Sequence, residues 1–121
     1  MSALNSGTVS VMLSAAGSAL RARVRAGDAA VVERALAVVR DDAAAIIESV
    51  CATSTIRPAG QGVEGSFVLE AADPVSRRGL RRVATRTEES MRRLGYRLDR
   101  EVRCDGGQVV AVYARHHRGR A

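Results

Sequence analysis

The sequence predicts an α+β fold, in which an N-terminal antiparallel helical hairpin precedes a β-α-β-β unit with a small mixed sheet of about three strands. Three observations predict it. Apolar residues recur every three or four positions before residue 53, glycine and proline interrupt that pattern between Pro58 and Gly65, and a period of two replaces it after Gly95. The 121 residues are expected to form one domain, with a hairpin at 1–53, a β-α-β-β unit at 54–115 and a basic tail at 116–121.

The first predicted helix runs from about Thr8 to Ala26. Its apolar positions are separated by four, three, four and four residues, which is the spacing of one helical face: Val9, Leu13, Ala16, Leu20 and Val24. Gly27 then supplies a stop and Asp28 an N-cap for the next helix.

The second predicted helix covers Ala29 to Ala52. Its apolar positions alternate between spacings of four and three, like the contact face of two packed helices: Val32, Leu36, Val39, Ala43, Ile46 and Val50. We expect two antiparallel helices joined at Gly27 and Asp28. If this face pairs between chains and not within one, Val32, Leu36 and Val39 form an oligomer or partner interface.

The β-α-β-β unit begins with a strand at Ser66–Ala71. Asp73 and Pro74 predict the start of a third helix, which ends at Gly95 and has its apolar positions at Leu80, Ala84, Thr87, Met91 and Leu94. Two strands joined by Asp105-Gly106-Gly107 follow, and the last, Val109–Ala114, is apolar on both faces. That composition predicts a central strand, flanked by the strands that follow Gly65 and Gly95. The hairpin is expected to cover one face of the sheet and the third helix the other.

Arg100 falls at an inward-facing position of its strand. A buried arginine needs an acid or an interface, whereas a half-covered edge strand leaves it solvated, and we favour the second interpretation.

The positive charge is concentrated in the second part of the chain. There are nineteen arginines and no lysine. The first 74 residues carry six arginines and eight acids, whereas the rest carry thirteen arginines and five acids, so a segment of net charge −2 precedes one of net charge +8. A GC-rich genome explains arginine in place of lysine, but not this placement.

Five arginines lie in the first half of the third helix, near the positive end of its dipole, where cations are mildly unfavourable. Helix stability therefore does not explain them. Together with the C-terminal arginines they form the candidate anion-binding or nucleic-acid-binding set: Arg77, Arg78, Arg81, Arg82, Arg86, Arg115, Arg118 and Arg120. Two alternatives are that they only face solvent, or that they pair with the acids of the second helix, Asp41, Asp42 and Glu48. Further along the third helix, Glu88 and Glu89 are expected to pair with Arg92 and Arg93.

These patterns predict a small non-enzymatic protein that engages a nucleic-acid backbone or an acidic protein surface. The three aromatic residues offer little for stacking on bases, and helix-turn-helix and zinc-finger spacings are absent, so nucleic-acid binding would show little sequence preference. The alternative is an interaction, assembly or inhibitor protein of phage or mobile-element type. Such a protein would work through the hairpin or the sheet face, with homo-oligomer formation possible.

Other chemistries are weakly supported. The pattern G-x-G-x-x-G at Gly60–Gly65 precedes a strand, whereas a dinucleotide site needs it after one, so we interpret it as a loop. His116, His117 and Cys104 lack metal-ligand spacing, and neither a serine nucleophile motif nor a carboxylate pair stands out, so no metal, cofactor or catalysis is expected.

Both cysteines, Cys51 and Cys104, are expected to be buried reduced thiols. The weakly apolar stretch from Val9 to Leu20 lacks the basic start of a signal peptide and holds too many serines and glycines to span a bilayer. A cytoplasmic protein without membrane contact is therefore expected.

Overall fold

The computed structural model describes residues 7–47, 51–59 and 62–115, and for 51–59 and Asp105 it describes the backbone alone. A short 3-10 turn at Asp105–Gly107 connects the last two strands. In chain order the helices and strands are β1 (Thr8–Ala16), β2 (Ala19–Ala26), α1 (Ala29–Ile46), β3 (Cys51–Ala59), β4 (Gly62–Glu70), α2 (Arg77–Arg93), β5 (Tyr96–Arg103) and β6 (Val109–Arg115).

All six strands form one sheet in the order β3-β4-β2-β1-β6-β5, and every neighbouring pair is antiparallel. Both helices pack on the same face of this sheet. Helix α1 lies mainly on β2 and β4, helix α2 lies on β1, β5 and β6, and the two helices contact each other. The protein is therefore a two-layer α+β structure, and the second face of the sheet carries no helix of the described residues.

The predicted helix at residues 8–26 is wrong, because these residues form the β1–β2 hairpin. In β1, Val9, Val11 and Leu13 alternate inward, and β2 continues the alternation between buried and exposed side chains. Gly17, with φ +61°, and Ser18 make the two-residue turn, and glycine at the first turn position suits this type of hairpin. A spacing of four residues is compatible with both a helix and a strand, which is why the helical interpretation could arise.

The second predicted helix exists, but it is shorter and packs differently. The predicted N-cap is confirmed: Asp28 Oδ1 accepts a hydrogen bond from the backbone N–H of Ala30 at 2.9 Å. Helix α1 ends at Ile46 and not at Ala52, since residues 51–59 pair with β4 as a strand. Its apolar face is buried against the sheet and α2. The predicted antiparallel helical hairpin is therefore absent from the described residues.

The predicted three-stranded mixed sheet is also wrong. The β1–β2 hairpin and β3 join the three expected strands, and β4 begins at Gly62, four residues before the predicted start at Ser66. β6 is a central strand as predicted, but its neighbours are β1 and β5, because β1 lies where the strand after Gly65 was expected. The two helices share one face and do not sandwich the sheet.

Helix α2 is close to its prediction. Ser76, and not Asp73, is its N-cap, and the Ser76 Oγ accepts a hydrogen bond from the Gly79 N–H at 3.0 Å. The buried positions match four of the predicted ones, namely Leu80, Ala84, Thr87 and Met91, with Val83 added. After the helix, Gly95 adopts φ +94° and leads the chain into β5.

The predicted inward orientation of Arg100 is wrong. The register of β5 shifts between Leu98 and Arg100, which is an irregularity of the β-bulge type. A one-residue shift moves the following side chains to the other face of the sheet. Arg100 is therefore exposed opposite Val112, on the face that carries no helix.

Candidate anion-binding surface

Five arginines project from the N-terminal half of α2. The buried side of this helix is apolar, so its other positions face outward. All five side chains on those positions are exposed: Arg77, Arg78, Arg81, Arg82 and Arg86. The structure thus brings five of the eight predicted anion-binding residues together on about two and a half turns of one helix.

These five arginines form no ion pair with an acid of the described residues. The ion pairs among all the described residues are Arg23 and Arg25 with Glu64, Arg92 with Glu88, and Arg103 with Glu101. The pair between Arg92 and Glu88, at 3.2 Å, confirms one of the two predicted pairs, while Arg93 and Glu89 form none. The positive charge of the first half of α2 is therefore left uncompensated by these acids.

The acids of α1 were the alternative partners, and they leave most of this charge unmatched. Asp42 accepts a hydrogen bond from Ser90 Oγ at 3.2 Å. Burial raises the pKa of the Asp42 carboxyl above its usual range, although the Ser90 hydrogen bond and the nearby charge of Arg86 act in the opposite direction. Arg86 thus lies close enough to influence Asp42 without forming an ion pair, whereas Glu48 lies outside the described residues.

A cleft separates the start of α2 from the turn between β5 and β6. It measures about 310 Å³ and is lined by three arginines, Arg77, Arg81 and Arg103. The turn approaches the helix closely, since a Cβ added to Gly107 would lie 3.9 Å from Arg77 Cγ. Gly106 and Gly107 have φ angles of +83° and +81°, which favour glycine over other residues.

Arg103 also contacts Glu101 Oε1 at 3.3 Å, so one of the three cleft arginines has an acidic neighbour. Guanidinium groups that converge on a cleft can bind phosphate or carboxylate oxygens in bidentate fashion. The contribution of Arg103 was missed in the sequence, because only the fold brings the end of β5 next to α2.

Arg115 does not belong to this cluster. It ends β6 opposite Tyr96, whereas the cleft lies at the other end of that strand, beyond Val109. Six residues of strand separate these ends, or roughly 20 Å. The two remaining predicted positions, Arg118 and Arg120, lie outside the described residues.

The predicted interface residues of α1 are in the core of one chain. Val32 and Val39 are fully buried and Leu36 is 4 % exposed. They pack under α1 against the sheet, so in this fold they are inaccessible to a second chain.

The remaining candidates have different outcomes. Gly62 and Gly65 belong to β4, so this part of the G-x-G-x-x-G pattern is a strand and not the predicted loop, while Gly60 and Gln61 lie outside the described residues. Cys104 is an exposed thiol at the cleft, which corrects the expectation that it is buried. His116 and His117 lie outside the described residues, and the side chain of Cys51 is not described. Within 7–47 and 62–115, no group of three potential metal ligands was found.

A second arginine cluster was missed. Arg21, Arg23 and Arg25 alternate with buried residues of β2 and project from the face of the sheet opposite the helices. Glu64 on β4 lies between two of them, 3.4 Å from Arg23 and 3.8 Å from Arg25. The alternation of arginine with apolar residues from Leu20 to Ala26 has a period of two and could have indicated this strand.

Comparison of the chain with known families and with curated proteins finds no match. Among the described residues, no helix combines the length and apolar character needed to cross a bilayer. The function is therefore inferred from the charge and geometry of the surfaces.

Proposed function

We propose that this protein binds the phosphate backbone of duplex nucleic acid through the arginines of α2, without a catalytic role. One observation carries the proposal: five exposed arginines crowd the first half of one helix and form no ion pair with a described acid. Arginines four positions apart on this helix repel each other, and Arg77 and Arg78 in its first turn lie at the positive end of the helix dipole. An anionic partner removes both penalties.

The character of the surface favours backbone contacts over recognition of bases. All three aromatic side chains of the chain are buried: Phe67, Tyr96 and Tyr113. Base stacking on exposed aromatic rings, the usual basis of single-strand binding, is therefore not available. Arginines that contact phosphates instead produce binding that depends strongly on salt and weakly on sequence.

The cleft beside α2 adds to this proposal. Arg77 and Arg81 face the β5–β6 turn, whereas Arg78 and Arg82 lie further around the helix. Arginines on two sides of α2 would therefore contact phosphates. The proposed setting is the cytoplasm, where the exposed thiol of Cys104 would stay reduced.

The proposal is tested by measuring the affinity for a fluorescent duplex as a function of salt concentration. The test variant replaces Arg78, Arg82 and Arg86 with glutamine. We expect it to bind any duplex more weakly, and the slope of log K against log salt to fall by about 0.9 for each phosphate that the variant no longer neutralises. Two duplexes of unrelated sequence should bind the native protein equally.

A matched control replaces three exposed arginines on the opposite face of the sheet, Arg21, Arg97 and Arg100, with glutamine. It loses the same net charge and should retain most of the affinity and the native slope. Equal losses in both variants would show that total charge alone matters. No binding by the native protein at low salt would refute the proposal, and tighter binding of polyglutamate than of the duplex would indicate an acidic protein as the partner.

A further inference from the structure

Strand β6 is apolar on both faces, yet the helices cover only one of them. Val109, Ala111 and Tyr113 are buried on the helix side, whereas Val110 and Val112 lie on the other side and are only partly buried. An antiparallel sheet with one solvated face usually carries polar residues there. The second face, here called the outer face, departs from that pattern at β6.

The apolar residues of the outer face are contiguous. The register places Met12 opposite Val110, and Val110 opposite Val102, so one apolar row crosses β1, β6 and β5. Val102 is 48 % exposed, and no other large apolar side chain among the described residues is classed as exposed. With neighbouring strands about 4.8 Å apart, the row is about 10 Å wide. Together with Val112 these residues form the outer patch.

Arginines border the outer patch on both sides. On β2, next to β1, the exposed side chains are Arg21, Arg23 and Arg25, and on β5 the bulge brings Arg100 beside Val112. Glu64 neutralises part of the first border. Arg21 and Arg100 form no ion pair with a described acid, so each border retains positive charge.

We propose that the outer face docks an acidic amphipathic helix of a partner protein. A helix with its side chains is about 10–12 Å across, which matches the width of the apolar row. Its apolar stripe would cover the outer patch, and acids along both flanks of that stripe would meet Arg21 and Arg100. The outer face lies on the opposite side of the sheet from α2, so this interaction is separate from the proposed nucleic-acid binding.

A second copy of the chain fits the outer face less well. Each chain carries a formal net charge of +6. Suppose that two copies stack their outer patches about a two-fold axis parallel to β6. The arginines on β2 of each copy would then approach Arg100 of the other copy. Juxtaposed like charges disfavour a complex, whereas an acidic partner gains from the same borders.

The test uses two fluorescent peptides that form amphipathic helices with the same leucine stripe. One carries glutamates on the rest of its surface, and the other carries lysines. Binding is measured by anisotropy with the full chain, and the contact surface by amide chemical shifts. We expect the glutamate peptide to bind and the lysine peptide to bind about tenfold more weakly. The amide chemical-shift changes should lie at Met12, Val110 and Val112.

Two variants identify the surface. Arg21→Gln with Arg100→Gln should weaken binding of the glutamate peptide by about tenfold, because both charged borders are reduced. Val102→Thr with Val110→Thr should also weaken it, while the β-branched shape and the thermal unfolding of the protein are retained. The matched control is Arg34→Gln with Arg93→Gln, which removes two exposed arginines of the helical layer and should leave binding of the glutamate peptide unchanged.

Four results would overturn the inference. They are equal binding of both peptides, no binding of either peptide, chemical shifts confined to α2, and a dimer that Val102→Thr with Val110→Thr abolishes. Shifts confined to α2 would leave the proposed function intact, because they would show that the peptide acts only as a polyanion. A dimer would identify a second copy as the occupant of the outer face.

Discussion

Ser90 of α2 donates a hydrogen bond from its Oγ to the Oδ2 of Asp42 on α1, at 3.2 Å. This contact joins the two helices across their shared boundary. The charge of Arg86 on α2 also acts on Asp42, where it opposes the rise in the pKa that burial causes. Asp42 is therefore engaged by a neutral hydroxyl and forms no ion pair with an arginine of α2.

The Asp42 carboxyl should make stability depend on pH. Because burial raises its pKa in the folded protein, the folded state holds this proton more tightly than the unfolded state does. Its stabilising contribution is fully present below the unfolded pKa and is lost as pH rises through the raised pKa. At neutral pH the ionised carboxyl therefore opposes folding.

We expect Asp42→Asn to increase the free energy of unfolding at neutral pH, since the amide oxygen still accepts the Ser90 hydrogen bond. The difference from the native protein should shrink as pH falls through the raised pKa, and it should be smallest below the unfolded pKa. Denaturant unfolding at several pH values measures it, with Asp41→Asn, an exposed neighbour, as the control. If Asp42→Asn loses the same stability at every pH, the pKa of Asp42 is not raised in the folded protein.

The Tyr96 hydroxyl is buried and has no hydrogen-bond partner among the described residues. A buried unpaired polar group opposes folding by about 1–3 kcal/mol, so Tyr96→Phe should leave stability unchanged or raise it by up to that amount. Tyr96→Ala, which removes the ring as well, should lower stability by about 3–5 kcal/mol. Urea unfolding compares the two variants. A clear loss of stability in Tyr96→Phe would mean that the hydroxyl is hydrogen-bonded.

Gly17 distinguishes the hairpin from the helix that periodicity suggested. With φ at +61°, the position is unfavourable for any side chain, although a Cβ there would meet no neighbouring atom. We expect Gly17→Ala to lower stability by about 1–2 kcal/mol. In a helix the same change would raise stability by about 1 kcal/mol. Thermal unfolding therefore tests the fold by the sign of the effect.

Leu36 tests whether the apolar face of α1 acts within one chain. Leu36→Ala should lower stability by about 2–5 kcal/mol, because the side chain is buried in the core. The loss should not depend on protein concentration. An unfolding midpoint that rises with concentration in the native protein but not in the variant would instead place Leu36 between chains.

Local features of the fold were more predictable than the arrangement of its elements. The N-cap at Asp28, the buried face of α2 and the glycine that follows this helix are local features, and local patterns predicted them. Residues 8–26 were predicted wrongly as a helix, because apolar residues four positions apart fit a strand as well as a helix. The turn at Gly17 and Ser18 and the alternating arginines of β2 could have decided between these structures.

The candidate anion-binding surface was predictable only for the arginines that lie on a single helix, α2. The arginines of α2 follow each other in sequence, so their clustering needed no knowledge of the fold. Arg103 joins them because the sheet brings the end of β5 beside α2. The orientation of Arg100 depends on a bulge, which shifts the strand by one residue and leaves no clear signal in the sequence.

Amide and arginine side-chain NMR of the full chain, titrated with a short duplex at low salt, tests the central proposal most directly. We expect the largest shift changes at residues 77–86 of α2 and at the arginine Nε–H groups of that segment, with little change at Arg21 or Arg100. Raising the salt concentration should reverse the changes. Shifts concentrated on the outer face of the sheet, or no shifts at all, would contradict the proposal that α2 is the nucleic-acid-binding surface.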